Sequence, residues 1–164
     1  MFRRRHAPLA PRLLAGAVLA FATVGIAVVL QHFADQKPCP WCVLQRLLML
    51  GVCAAAALGA AFASARVVVP ARATAALAAV LASAGLGAAL YQYGWAASSA
   101  SCALTFADRV MMRTGLDQAL PWLFKATASC DVASAPLLGV PWPLWSAAVF
   151  VALAWWLGRA ALGR

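Results

Sequence analysis

The chain has 164 residues, of which 65% are hydrophobic and only 10% charged, and its mean hydropathy is +0.86. Soluble domains carry about a quarter charged residues, so this composition excludes an ordinary soluble protein and leaves room for about four membrane spans of roughly twenty residues each. The formal net charge of +9 raises nucleic acid as a partner, which the placement of the basic residues then removes.

Arg3, Arg4, Arg5 and Arg12 precede an apolar run over 13–30. The run is longer than the ~7–15-residue core of a signal peptide, and no small-residue cleavage site separates it from Gln31, so it reads as an uncleaved first span. A polar link with His32, Asp35 and Lys37 leads into Cys39-Pro40-Trp41-Cys42 and a second span over 43–63. Gly51, Ala55 and Gly59 recur every four residues there, a small-residue face that suits close helix approach. Cys42, Arg46, Met49 and Cys53 fall on a different face. Arg66, Pro70 and Arg72 mark a short turn before a third span over 73–93. This span is Ala-rich with Gly85 and Gly87, weakly hydrophobic for lipid, and expected to pack inside a bundle. Tyr91, Tyr93 and Trp95 at its end have the character of interfacial aromatics.

The long segment over 94–142 contains Cys102, Cys130 and three of the four acidic residues. Leu116, Leu120, Leu123 and Phe124 have helical spacing, which fits either a short amphipathic helix on the bilayer surface or a small folded loop core. Pro141-Trp142-Pro143 opens a fourth span over 143–157, with Pro143 suited to a first helical turn and Trp155 and Trp156 belting the far end. The expected fold is all-α: one integral membrane domain over 1–164, a four-transmembrane-helix bundle with extracytoplasmic loops at 31–42 and 94–142. The second loop is long and bears a short amphipathic helix.

Four spans place Arg3, Arg4, Arg5, Arg12, Arg66, Arg72, Arg159 and Arg164 on one side, with no acidic residue among them. The positive-inside rule makes that side, and with it both termini, cytoplasmic. Asp35, Asp108, Asp117 and Asp131 lie opposite, together with Cys39, Cys42, Cys102 and Cys130. The arginines are therefore topology signals, and no nucleic acid partner is expected.

Five cysteines leave at least one outside any set of intramolecular disulfides. The four on the extracytoplasmic side sit in an oxidising compartment. A ring closed over two residues constrains little unfolded-chain entropy, so Cys39–Cys42 reads as an exchangeable bond rather than a staple. Cys42 lies near a helix N-terminus, whose dipole favours a thiolate, and Arg46 follows one turn later on the same face. The plainer account of Arg46 is a cation snorkelling to the interface. The plainer accounts of the cysteines are structural staples, or a zinc site for which only the CxxC half is present. Haem attachment fails because Val43, not His, follows Cys42. Cys53 reads as a buried small hydrophobe, and His32 as an interfacial polar residue.

Four spans, Gln31-His32, Lys37-Pro38-Cys39 through Cys42, Arg46, a second loop with Cys102 and Cys130, and the Gly139–Trp142 stretch together resemble the disulfide bond formation protein B (DsbB) family. These are bacterial inner-membrane thiol oxidases built as four-helix bundles. The resemblance implies an enzyme, a thiol:quinone oxidoreductase that generates disulfides. Cys102–Cys130 would oxidise a periplasmic DsbA-like thioredoxin-fold dithiol protein, with Cys102 the site of the mixed disulfide. Electrons would pass to Cys39–Cys42 and then to ubiquinone or menaquinone from the membrane pool. Cys42 would lie nearest the quinone, Arg46 would bind it, and no metal is expected. Gln45 stands where some relatives have Glu, and Tyr93 where the best-known member has His, so a proton-transfer role at that position does not carry over. The competing class is a membrane structural or metal-binding protein whose cysteines are staples or zinc ligands. A third possibility reverses the electron flow, as in vitamin K epoxide reductase-like reductases.

Overall fold

The computed structural model describes residues 9–34, 36–96, 105–134 and 136–163. Helices α1 (Leu9–Phe33), α2 (Pro40–Ser64) and α3 (Val68–Tyr91) follow one another up and down, and α3 runs on through a π-helical turn over Gln92–Ala96. The loop beyond holds α4 (Phe106–Thr114), the single turns α5 (Leu116–Ala119), α6 (Pro121–Phe124) and α7 (Cys130–Ala133), and a hairpin of β1 (Pro136–Leu137) and β2 (Val140–Pro141). Helix α8 (Trp142–Ala161) completes a four-helix membrane bundle, each long helix being long and apolar enough to cross a bilayer.

The helices outrun the apolar windows that announce them. Hydropathy marks the residues that meet lipid, whereas a helix continues until its end groups are capped. Helix α2 starts at Pro40, whose missing N–H is harmless at the first helical position. Helix α3 begins at Val68 and takes Pro70 into its first turn for the same reason. The turn between α2 and α3 is therefore shorter than the placement of Arg66, Pro70 and Arg72 implies.

Helix α2 lies between α1 and α3, and α3 packs on α8. The small-residue face of α2 does the work expected of it. A Cβ on Gly59 would meet Thr74 Oγ1 of α3 at 2.6 Å and Leu13 Cδ1 of α1 at 3.0 Å. Along α3 the buried line is Ala71, Ala75, Ala78, Ala82, Gly85 and Ala89, spaced three and four apart. So thin a seam lets α8 approach until the Phe150 ring fills the space beside Gly85. Van der Waals packing between small residues, rather than expulsion of water, holds such helices together in lipid.

At one end of the bundle lie Arg12, Arg66, Arg72 and Arg159. There Trp156 Nε1 donates to the Arg12 carbonyl at 3.1 Å, and the Arg159 guanidinium sits 5.0 Å over the Trp155 ring. The other end carries the long loop. Thr105 and Asp108 form a reciprocal capping box that starts α4, and Gly115, at φ 66°, ends it. Ala107 and Met111 of α4 are buried while Arg109 and Arg113 are exposed, so the amphipathic helix is α4.

The 116–124 stretch behaves differently: it is broken at Leu120, which precedes Pro121 and is forced out of the helical region (φ −133°, ψ 64°). Leu123 and Phe124 there are buried in the same core as α2, making a small folded loop core.

Candidate functional site

The N-terminus of α2 gathers sulfur. Cys39 is its cap residue, extended at φ −89° and ψ 170°, and its Sγ accepts from the Cys42 N–H at 3.4 Å. Pro40 has no N–H to place. The Trp41 N–H is directed at the Cys130 sulfur. The first turn of a helix leaves its N–H groups without intrahelical partners, and here sulfur atoms take two of them. The Cys39 and Cys42 sulfurs are 3.1 Å apart, and Cys39 is completely buried. Cys130 reaches this point because the Thr127 and Ala128 N–H groups both donate to the Pro38 carbonyl, at 2.9 and 3.2 Å.

The hydrogen bonds among these sulfurs shift Cys39 and Cys130 in opposite directions. The hydrogen bond with Cys130 pushes the Cys39 thiol far above its usual range, reinforced by the bond with Cys42 and by burial. The same Cys39–Cys130 bond holds the Cys130 thiol below its usual range, against an opposing effect of burial and with help from the Trp41 N–H. Cys39 therefore keeps a proton and Cys130 accepts the hydrogen bond as the readier thiolate.

On the other side Cys42 opens onto a cavity of about 390 Å³ bounded by α1, α2, α8 and the 36–38 link. Its walls are mostly apolar, with Met49, Trp145 and Phe150 among them, and its polar lining includes Gln45, Arg46 and Lys37. Gln45 Nε2 donates to Gln92 Oε1 at 2.7 Å, and Gln92 Nε2 donates to Cys42 Sγ at 3.3 Å. Gln92 is completely buried and opens the π-helical turn, a distortion that often marks functional positions.

Arg46 is 8% exposed, so it does not snorkel. Its Nη1 donates to Gln31 Oε1 at 2.6 Å and to the Leu123 carbonyl at 3.0 Å, and its Nη2 to the Ala27 carbonyl at 3.5 Å. With the charge held among these neutral acceptors, its edge remains part of the cavity wall.

Cys39, Cys42, Cys130 and Arg46 thus come together as one cluster. Cys102 lies outside the described residues, as does Asp35. Cys53 is only partly buried and does not line the cavity. His32 is exposed, its Nδ1 2.9 Å from the Val28 carbonyl oxygen of its own helix. Tyr91, Tyr93 and Trp95 are exposed at the edge of the bundle, and Tyr91 packs on Trp41 with ring centroids 4.6 Å apart. Gln92 is the residue that sequence reasoning missed. Its signal was available: a glutamine at the end of an apolar span needs a partner, since an unpaired amide there is costly.

A family model described as "Disulfide bond formation protein DsbB" matches residues 10–160. "Disulfide bond formation protein B" of Herminiimonas arsenicoxydans is 33% identical over 159 residues, covering 94% of this chain and 96% of that protein. The protein of the same description from Ralstonia nicotianae is 32% identical, covering 90% of this chain and 91% of its own length. That from Burkholderia pseudomallei is 30% identical, with 84% and 80% covered. No solved structure gives a significant match.

Proposed function

Because the chain belongs to the DsbB family of disulfide bond formation proteins, we propose that it is a thiol:quinone oxidoreductase that reoxidises a periplasmic DsbA-like dithiol protein. The single observation that carries this is a file of sulfur atoms ending at a cavity: Cys130 against Cys39, Cys39 against Cys42, and Cys42 on the wall. An exchange relay needs that adjacency, because each step is an in-line attack of one sulfur on the next.

The partner dithiol attacks a Cys102–Cys130 disulfide at Cys102, forming the mixed disulfide and releasing Cys130 as thiolate. Cys130 attacks Cys39 of a Cys39–Cys42 disulfide; the Cys130–Cys39 bond forms, and the electron pair leaves on Cys42. The second thiol of the partner then resolves the mixed disulfide and frees Cys102, which reforms its bond to Cys130 and releases Cys39. Two electrons and two protons then reside on Cys39 and Cys42. Negative charge on Cys42 is met by the end of α2, the Gln92 amide and the Arg46 guanidinium.

A bound quinone supplies a two-electron, two-proton acceptor. The residues fit one: the cavity of about 390 Å³ falls within the range of about 300–1,000 Å³ common for small-molecule sites, its walls are largely apolar, and Arg46 and Gln45 place donors on them. Ubiquinone and menaquinone both meet these requirements. The arginines at the opposite end of the bundle favour a cytoplasmic location for that end, which puts the cysteines in the periplasm of an inner-membrane protein.

The test is quinone reduction by the protein purified in detergent, driven by a reduced thioredoxin-fold dithiol protein. Cys42→Ser is expected to abolish turnover while the bundle stays folded. Undiminished turnover in that variant would sink the proposal.

A further inference from the structure

Gln31, in the last turn of α1, makes two hydrogen bonds that point in different functional directions. Its Oε1 accepts from Arg46 Nη1 at 2.6 Å, and its Nε2 donates to the Trp122 carbonyl at 3.2 Å. Arg46 Nη1 also donates to the next carbonyl along, that of Leu123, at 3.0 Å. These carbonyls belong to the single turn α6, which has no following turn to engage them. A few residues later the chain is pinned again, at Thr127 and Ala128 on the Pro38 carbonyl, and then reaches Cys130 beside Cys39.

A guanidinium has five N–H donors in a rigid plane. Gln31 and Leu123 take both of those on Nη1, and Ala27 takes one on Nη2. The remaining edge, Nε and one Nη2 hydrogen, is left for the cavity that Arg46 lines.

We propose that Gln31 is a positioning residue that couples the acceptor cavity to the loop carrying Cys130. Its oxygen fixes the direction in which Arg46 presents its last donors, and its nitrogen holds the turn that keeps Cys130 on Cys39. The proposal rests on the quinone-oxidase reading above. Coupling of this kind is reciprocal: a ligand that orders Arg46 orders the loop, and an ordered loop tightens the ligand.

The experiment uses the full chain in lipid nanodiscs, with ubiquinone-1 as acceptor and a reduced thioredoxin-fold protein as donor. A second readout is the alkylation rate of Cys130, followed peptide by peptide by mass spectrometry. Gln31→Met removes both bonds. It is expected to raise KM for ubiquinone-1 about tenfold, the equivalent of one hydrogen bond to a charged group, and to speed Cys130 alkylation about fivefold. Added ubiquinol-1, which cannot oxidise the thiols, should slow that alkylation in the fully reduced native protein and not in fully reduced Gln31→Met.

Gln31→Glu keeps an acceptor for Arg46 but sets an oxygen against the Trp122 carbonyl. Its KM should stay at least about threefold below that of Gln31→Met while Cys130 is alkylated as fast as in Gln31→Met. That split is one that mere filling of space does not produce, and it decides the matter alone if Gln31→Met does not fold. Equal KM values in the two variants, or native alkylation rates in both, would overturn the proposal. Failure of the native protein to reduce ubiquinone-1 would instead remove the quinone reading, with the alkylation arm still reporting on the loop.

Discussion

Gln92 is the residue on which the chemistry at Cys42 can be tested most directly. Replacing it with leucine removes the one side-chain amide that donates to Cys42 Sγ, now at 3.3 Å, and strips Gln45 Nε2 of its acceptor at 2.7 Å. A hydrogen bond to a charged group contributes ~1.5–3 kcal/mol. Oxidation of the Cys39–Cys42 dithiol should therefore slow by about 10–150-fold, at ~1.4 kcal/mol per factor of ten. The fold loses less, ~1 kcal/mol, because hydrogen bonds between membrane helices are individually weak.

Gln92→Glu separates the two effects. Its carboxyl oxygen still accepts from Gln45; burial favours the protonated acid, and wherever the group ionises it donates nothing and repels negative charge on the sulfur. Stopped-flow loss of ubiquinone absorbance, started from the reduced enzyme, measures the step. Native rates in both variants would refute the role assigned to Gln92 and leave its hydrogen bond to the sulfur incidental.

Cys130 should react with iodoacetamide below the ordinary thiol titration near pH ~8.5, because the Cys39 hydrogen bond holds its thiol down; Cys39→Ala should return its pH profile toward that ordinary range. The sign is fixed by both partners. The lowered Cys130 favours docking of the loop until acid passes its folded pKa, and the raised Cys39 favours it until base removes the shared proton, so docking is strongest between the two. Gly85→Ala should lower thermal stability in detergent by ~1–3 kcal/mol or more, since the added Cβ meets the Phe150 ring, whereas Gly25→Ala, with open space around it, should stay within ~0.5 kcal/mol of native. Equal stabilities for these two would undercut the account of the α3–α8 seam.

The four helices were legible because lipid imposes a composition that nothing else in a sequence imitates. Their ends were not, because capping depends on single residues such as Pro40 and Pro70 and not on hydropathy. The small-residue face of α2 was equally readable, since Gly51, Ala55 and Gly59 lie at the spacing that close packing requires. The 116–124 stretch shows where periodicity fails: its apolar spacing is helical, but Pro121 breaks the helix at Leu120, and tertiary burial of Leu123 and Phe124 decides the outcome. At the site, the Cys39–Cys42 pair and Arg46 were visible as a local pattern. The approach of Cys130 to Cys39, and of Gln92 to Cys42, joins residues 91 and 50 positions apart, which no local pattern encodes.

Among the described groups gathered around Cys42, the polar partners are amides and carbonyls rather than carboxylates. Gln45 and Gln92 face the sulfur side, while Gln31, Ala27 and Leu123 hold the guanidinium. A carboxylate beside Arg46 would neutralise it and leave little field for a charge arriving on sulfur, and burying such an ion pair brings a large desolvation cost. Neutral acceptors fix the guanidinium in place without cancelling it. The Arg46 charge is then not cancelled by any of these acceptors, and it lies beside the helix end, in low dielectric, where a transient thiolate is best met. A Gln31→Glu or Gln92→Glu variant inserts the missing carboxylate on one side or the other of that charge, so the pair measures how far the electron-transfer step depends on leaving it unpaired.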